Sequence, residues 1–205
     1  MMNATCPSCG GDMKFVSKST LYAACPYCSS LILRKDLDVE LVGKLGQLQD
    51  DGSPVQLGTR GRYRGRGFQV IGRIQYRFGA GFWNEWYLDV DGWLGETQGM
   101  YAVLFRAQPA ETIPKFYELT LGAAVAIAGK TYDVKEKQAS HCIGGEGELP
   151  FAIESGYEAP VADLVGPDTR FATIDYSEEP PLVFVGEYVE FDQLEFTNLK
   201  PVEGW

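Results

Sequence analysis

Two Cys-x-x-Cys pairs near the N-terminus constrain this chain more than any other feature. Cys6-Pro7-Ser8-Cys9 and Cys25-Pro26-Tyr27-Cys28 are separated by fifteen residues. A two-residue spacer turns both thiolates of a pair toward one point, and two pairs supply four soft ligands for a tetrahedral Zn²⁺. Four thiolates leave no open position, so the one expected zinc is structural and not catalytic. Gly10 follows the first pair, where the turn favours positive φ. Residues 1–35 therefore read as a zinc ribbon with a short hairpin between its knuckles.

The rest of the chain is ordinary in polarity and acidic. The whole chain carries 18 Lys and Arg against 28 Asp and Glu, a net charge of −10. Such a balance disfavours nucleic acid and anionic membranes as partners. No basic, apolar and cleavable leader is visible, and no apolar run approaches the ~20 residues of a membrane helix. A cytoplasmic protein is expected. Paired cysteines in a reducing compartment favour metal over disulfides.

Residues 36–53 read as a helical connector. Asp36 is a plausible N-cap, and Leu37, Leu41, Leu45 and Leu48 recur at helical spacing. Asp50 to Pro54 then read as a stop and turn. Beyond it the chain is mostly β. Its 24 glycines and many aromatic residues suit short strands and tight turns. A sparse self-match recurs at an offset of 64 residues: Leu57-Gly58 with Leu121-Gly122, Gly65 with Gly129, Phe68 with Tyr132, Val70 with Val134. With one residue of slip, Glu85 matches Glu148. The expectation is a duplicated all-β domain over 54–199, with two small SH3-like or curled-sheet halves at about 54–107 and 116–199, and a tail over 200–205.

Several segments together resemble one known family. They are Gln56 to Gly61, Gly67 to Arg73, Trp83 to Leu88, Gly147 to Pro150 and Phe171 to Tyr176. They look like the domain-of-unknown-function family numbered 4178, over about residues 54–199, where an N-terminal zinc ribbon is a usual companion. The resemblance implies a bacterial protein of undefined activity. It is similar to proteins encoded near phage-shock-protein-A-like membrane-remodelling proteins, small membrane proteins and polyamine-pathway enzymes. That setting points to an envelope-stress system, by association rather than mechanism. The family supplies no catalytic residues to carry over.

Three constellations are candidates for chemistry. Arg60, Arg62, Arg64 and Arg66 alternate, so on one strand they share a face suited to an acidic partner or anionic headgroups. The plainer alternative is a solvated face paired with acids from the second half. Trp83, Trp86, Tyr87 and Trp93 lie near Glu85, a combination that can hold an organic cation, although an aromatic stripe is more often core. His141-Cys142 invites a nucleophile reading, but neighbours on an extended chain point opposite ways.

These features favour a non-catalytic adaptor that binds a protein partner, membrane-associated or peripheral at the inner membrane through that partner. The ribbon and the arginine strand would be its contact surfaces. The alternatives are an enzyme or sensor for polyamine-like cations, and a nucleic-acid-binding ribbon.

Overall fold

The computed structural model describes residues 2–35, 38–79 and 81–201. They form fifteen strands and two short 3₁₀ turns, Phe116–Glu118 and Phe191–Leu194, with no α-helix among the described residues.

The N-terminal head holds β1 (Met2–Thr5) and β2 (Asp12–Phe15), paired antiparallel, and the antiparallel trio β3 (Tyr22–Ala24), β4 (Ser30–Lys35) and β5 (Asp38–Lys44). The helical connector expected over 36–53 is not there. Asp36 and Leu37 lie outside the described residues. Leu41 sits in β5 opposite Ile32 of β4, and residues 45–53 follow as irregular chain. Val39, Leu41 and Val42 suit a strand, and Gly43 and Gly46 weaken a helix. Pairing with β4 overrides the leucine spacing.

The remaining strands are β6 (Arg60–Tyr63), β7 (Arg66–Phe78), β8 (Gly81–Leu88), β9 (Gly92–Thr97), β10 (Met100–Ala107), β11 (Ala124–Ile127), β12 (Lys130–Leu149), β13 (Glu158–Val165), β14 (Arg170–Asp175) and β15 (Leu182–Val189). Eight of them close into one antiparallel barrel in the order β7-β8-β9-β10-β15-β14-β13-β12, with β12 returning to β7. Two separate SH3-like halves are therefore corrected to one barrel, to which each stretch contributes four consecutive strands. The matched positions do occupy like places. Arg64-Gly65 and Ala128-Gly129 are both two-residue turns with positive φ, and Gly58 N–H donates to Val70 O much as Gly122 N–H donates to Val134 O. They mark two similar hairpins, β6–β7 and β11–β12, each leading into one long strand of the barrel.

Glycine makes the closure possible. Gly72 faces Gly147 across the β7–β12 seam. A Cβ on Gly72 would sit 1.8 Å from the Glu148 carbonyl oxygen. Closure also removes the free edges that an open sheet would expose.

Alternation along the strands sorts the side chains. One outer face packs Phe68, Val70, Trp86, Leu88, Leu94 and Val103 beneath Val55 and Leu194. The opposite outer face packs Val134, Ala162, Leu164, Ala172 and Ile174 beneath Leu119. Much of the aliphatic core thus lies outside the barrel wall, under covering segments. The inward positions carry several aromatic and acidic residues among smaller ones.

A third cluster joins the head to the barrel. Ala24, Leu31 and Leu45 pack with Ile74, Tyr87, Trp93, Cys142 and Leu149. β3 also pairs with the end of β12, Tyr22 opposite Leu149 and Ala23 opposite Glu148. Both Val16 N–H and Ser17 N–H donate to the Glu148 carboxylate, the latter at 3.1 Å.

Candidate ligand cavity and metal centre

The inward positions of the barrel enclose a cavity of about 230 Å³. An engineered protein cavity of roughly 150 Å³ accepts benzene, so this one has room for a small organic molecule. Its walls are aromatic. Trp83 stacks on Tyr76 with ring centroids 5.0 Å apart and 19° between planes. Phe78 lies 5.4 Å from Trp83. Trp93 and Phe151, 5.9 Å apart, wall another part. Phe171, Phe184 and Tyr188 line it from β14 and β15.

Four carboxylates also line the cavity, three of them half-buried and Glu136 exposed. Glu85 is on β8, Glu136 on β12, Asp163 on β13 and Asp175 on β14. Glu136 stands directly opposite Asp163. Burial pushes the Glu85 carboxyl up to about 8, with the charges of Asp175 and Asp163 adding to the effect and the Trp83 N–H, 3.3 Å away, opposing it. Burial likewise pushes Asp163 up to about 6, aided by Glu136 and opposed by a 2.8 Å hydrogen bond from Thr173. Asp175 is raised chiefly by burial. Desolvation and like charge thus hold protons in this space. Lys135 is the one basic side chain among the described lining residues.

The structure divides the aromatic set read from the sequence. Trp83, Glu85 and Trp93 line the cavity. Tyr87 packs 4.9 Å from Trp93, and its hydroxyl donates to Asp91 at 2.8 Å. Trp86 faces the other way. Its Nε1–H donates to Glu96 at 2.7 Å, and the Arg73 guanidinium lies 4.7 Å from its ring. Glu136, Asp163 and Asp175 are not singled out by the sequence reading. The available signal was alternation: Asp163 shares a face with Val161, and Asp175 with Phe171 and Thr173.

The four arginines do not share one strand face. Arg60 and Arg62 are on β6, Arg64 is in the turn with φ 47°, and Arg66 begins β7 opposite Tyr63. Arg64 makes a two-pronged contact with Glu187, at 3.0 and 2.8 Å, and Arg62 lies 3.7 Å from Glu195. His141 and Cys142 part as adjacent strand residues do. His141 Nδ1 is 3.0 Å from Glu158, whereas Cys142 is buried near Glu85 with its thiol pushed up to about 12, mainly by burial.

In the head, the sulfurs of Cys6, Cys9, Cys25 and Cys28 all lie within 4.8 Å of one another, an arrangement that can hold a metal ion. Cys6 Sγ is 3.8 Å from Cys28 Sγ, and Cys9 Sγ is 3.7 Å from Cys25 Sγ. The two knuckles are built alike. Gly10 N–H donates to Cys6 O and Ser29 N–H to Cys25 O, both at 2.9 Å, and Gly10 and Ser29 both take positive φ.

Residues 56–191, more than half of the chain, match the family model described as "Domain of unknown function (DUF4178)". The chain belongs to this family. No curated protein and no solved structure matches it. The matched span takes in all eight barrel strands and the cavity, while the four cysteines of this DUF4178 protein precede it. Among the described residues, no helix is long and apolar enough to cross a membrane.

Proposed function

We propose that the protein acts by binding, and that its barrel is the receptor for a small organic cation of polyamine type. The observation that carries this reading is the coincidence, in one cavity, of stacked aromatic rings with inward carboxylates and a single lining lysine. A desolvated acid without a fixed counter-ion is costly, and an ammonium group relieves that cost. Aromatic faces add cation–π attraction. The same acids disfavour anionic ligands. Calorimetry with spermidine tests the reading: saturable heat, with weaker affinity in Glu85→Gln, is expected, and no heat at millimolar ligand removes it.

The head is read as a zinc ribbon. A tetrahedron with Zn–S bonds of about 2.3 Å places its sulfurs about 3.8 Å apart. The Cys6–Cys28 and Cys9–Cys25 sulfur separations, 3.8 and 3.7 Å, agree with that geometry. Native mass spectrometry should find one zinc, lost in Cys6→Ser.

An adaptor role, in the envelope-stress setting implied by the family resemblance, is a second reading. The exposed Leu41 and Val42 on β5, the outermost strand of the head sheet, favour it. Such an edge suits a partner that adds a strand. A tagged pull-down compared with Leu41→Lys tests it: capture of the same membrane-system proteins by both forms would set this edge aside.

A further inference from the structure

The head and the cavity share structure, which bears on how the cation site is controlled. Trp93, Phe151 and Tyr76 line the cavity, and the same three side chains pack in the cluster that contains Ala24, Leu31 and Leu45 of the head. β12 is common to both regions. Its residues Gln138 and Ser140 face the cavity, and its end, Glu148–Leu149, hydrogen-bonds to β3 just before Cys25. Glu148 also takes hydrogen bonds from Val16 and Ser17 of the head. Asp91, between β8 and β9, accepts from Tyr87 of the barrel at 2.8 Å and from Ser19 of the head at 3.5 Å.

The head has only a small core of its own, with Phe15, Met13 and Ile32 around Cys6 and Cys25. A module of that size ordinarily needs its metal to stay folded. Without the metal, Ala24 and Leu31 would leave the packing behind Trp93 and Phe151.

We infer that the metal held by Cys6, Cys9, Cys25 and Cys28 fixes the wall of the barrel cavity, so that metal and cavity ligand bind cooperatively. This rests on the cation reading of the cavity. Ligand binding to the barrel tightens the grip of the head on its metal, and by linkage the metal tightens ligand binding by the same factor. A redox or chelating event at the thiolates is thereby converted into release of the ligand. The direction follows from the packing, since both ligands favour the state in which the cluster is complete.

The test uses the whole chain, zinc and spermidine. Spermidine affinity is measured on the zinc-loaded and the chelator-stripped protein, and zinc affinity by chelator competition with and without saturating spermidine. Both are expected to shift by one common factor, roughly tenfold. Equal spermidine affinity in the two forms overturns the inference. Hydrogen exchange supplies a readout without ligand: stripping zinc should expose the amides of β12 and those flanking Trp93. If only the amides of the head lose protection, the coupling is absent. If β12 does lose protection but neither form binds spermidine, the cation reading fails and the metal's hold on the wall stands. Should stripping unfold the whole chain, Glu148→Gln keeps all four cysteines while weakening the junction. The common factor should then fall toward one, and an unchanged factor counts against the inference.

Discussion

Glu136 on β12 and Asp163 on β13 stand directly opposite each other at the cavity, two like charges on neighbouring strands. Such a pair destabilises the empty protein by roughly 0.2–1 kcal/mol. Its presence is understandable if a cation is meant to lie between the two groups. Glu136→Gln should therefore raise the melting temperature of the ligand-free protein by about 2–4 °C per kcal/mol gained. The same change should weaken spermidine binding. Differential scanning fluorimetry and calorimetry on the one variant read both effects. A variant that binds more tightly would contradict this account of the pair.

The pH dependence follows from Glu85 and Asp163. Both carboxyls are raised in the folded protein, to about 8 from 4.5 and to about 6 from 3.8. Between each ordinary value and each folded value, the native state holds a proton that the unfolded chain has lost. Stability therefore falls as pH rises through that window, and the Glu85 contribution levels off above about 8. Cation binding runs the other way, because an incoming ammonium displaces these protons. Its affinity should increase by up to about one order of magnitude per pH unit for each proton displaced. The groups that face Glu85 include Asp163, Asp175, Tyr76 and Cys142, so the slope belongs to the set. Calorimetry from pH 6 to 9 in buffers of differing ionisation heat measures it, and Glu85→Gln should flatten the profile between 7 and 9.

On the outer face, Glu96 anchors a buried polar network. Its carboxylate accepts from Ser53 at 2.8 and 2.7 Å, Asn84 at 3.2 Å, Trp86 at 2.7 Å and Tyr101 at 3.1 Å. Removing the acceptor strands several buried donors. Glu96→Ala should cost about 3–5 kcal/mol in urea denaturation, and Glu96→Gln less, since one oxygen remains to accept.

The sequence was informative where the chemistry is local. The cysteine knuckles follow from spacing, and the strand-rich tracts from aromatic and β-branched runs. The connector misleads because Leu37, Leu41, Leu45 and Leu48 mimic a helical face, whereas Leu41 is decided by its partner Ile32 in β4. The barrel was hidden because its closing contact joins Gly72 to Gly147, and no local pattern announces so distant a pairing. The cavity was half visible. Trp83 and Glu85 stand out as an aromatic–acid combination, but Asp163 and Asp175 look like ordinary strand acids until closure turns them inward.

Closure also yields a sharp test. Gly72 and Gly67 are both in β7, yet they meet different surroundings. A Cβ on Gly72 would lie 1.8 Å from the Glu148 carbonyl oxygen, whereas on Gly67 the nearest atom is 3.9 Å away. Glu148 is backbone-paired to the head and accepts its hydrogen bonds, so a shift of β12 at this point disturbs both the seam and the junction. Gly72→Ala should therefore cost more than about 3 kcal/mol, among the larger effects of a single methyl group. Gly67→Ala should stay within about 1 kcal/mol. Urea denaturation of the two variants compares them directly. Equal stabilities would mean that β7 and β12 do not close the barrel at this glycine pair.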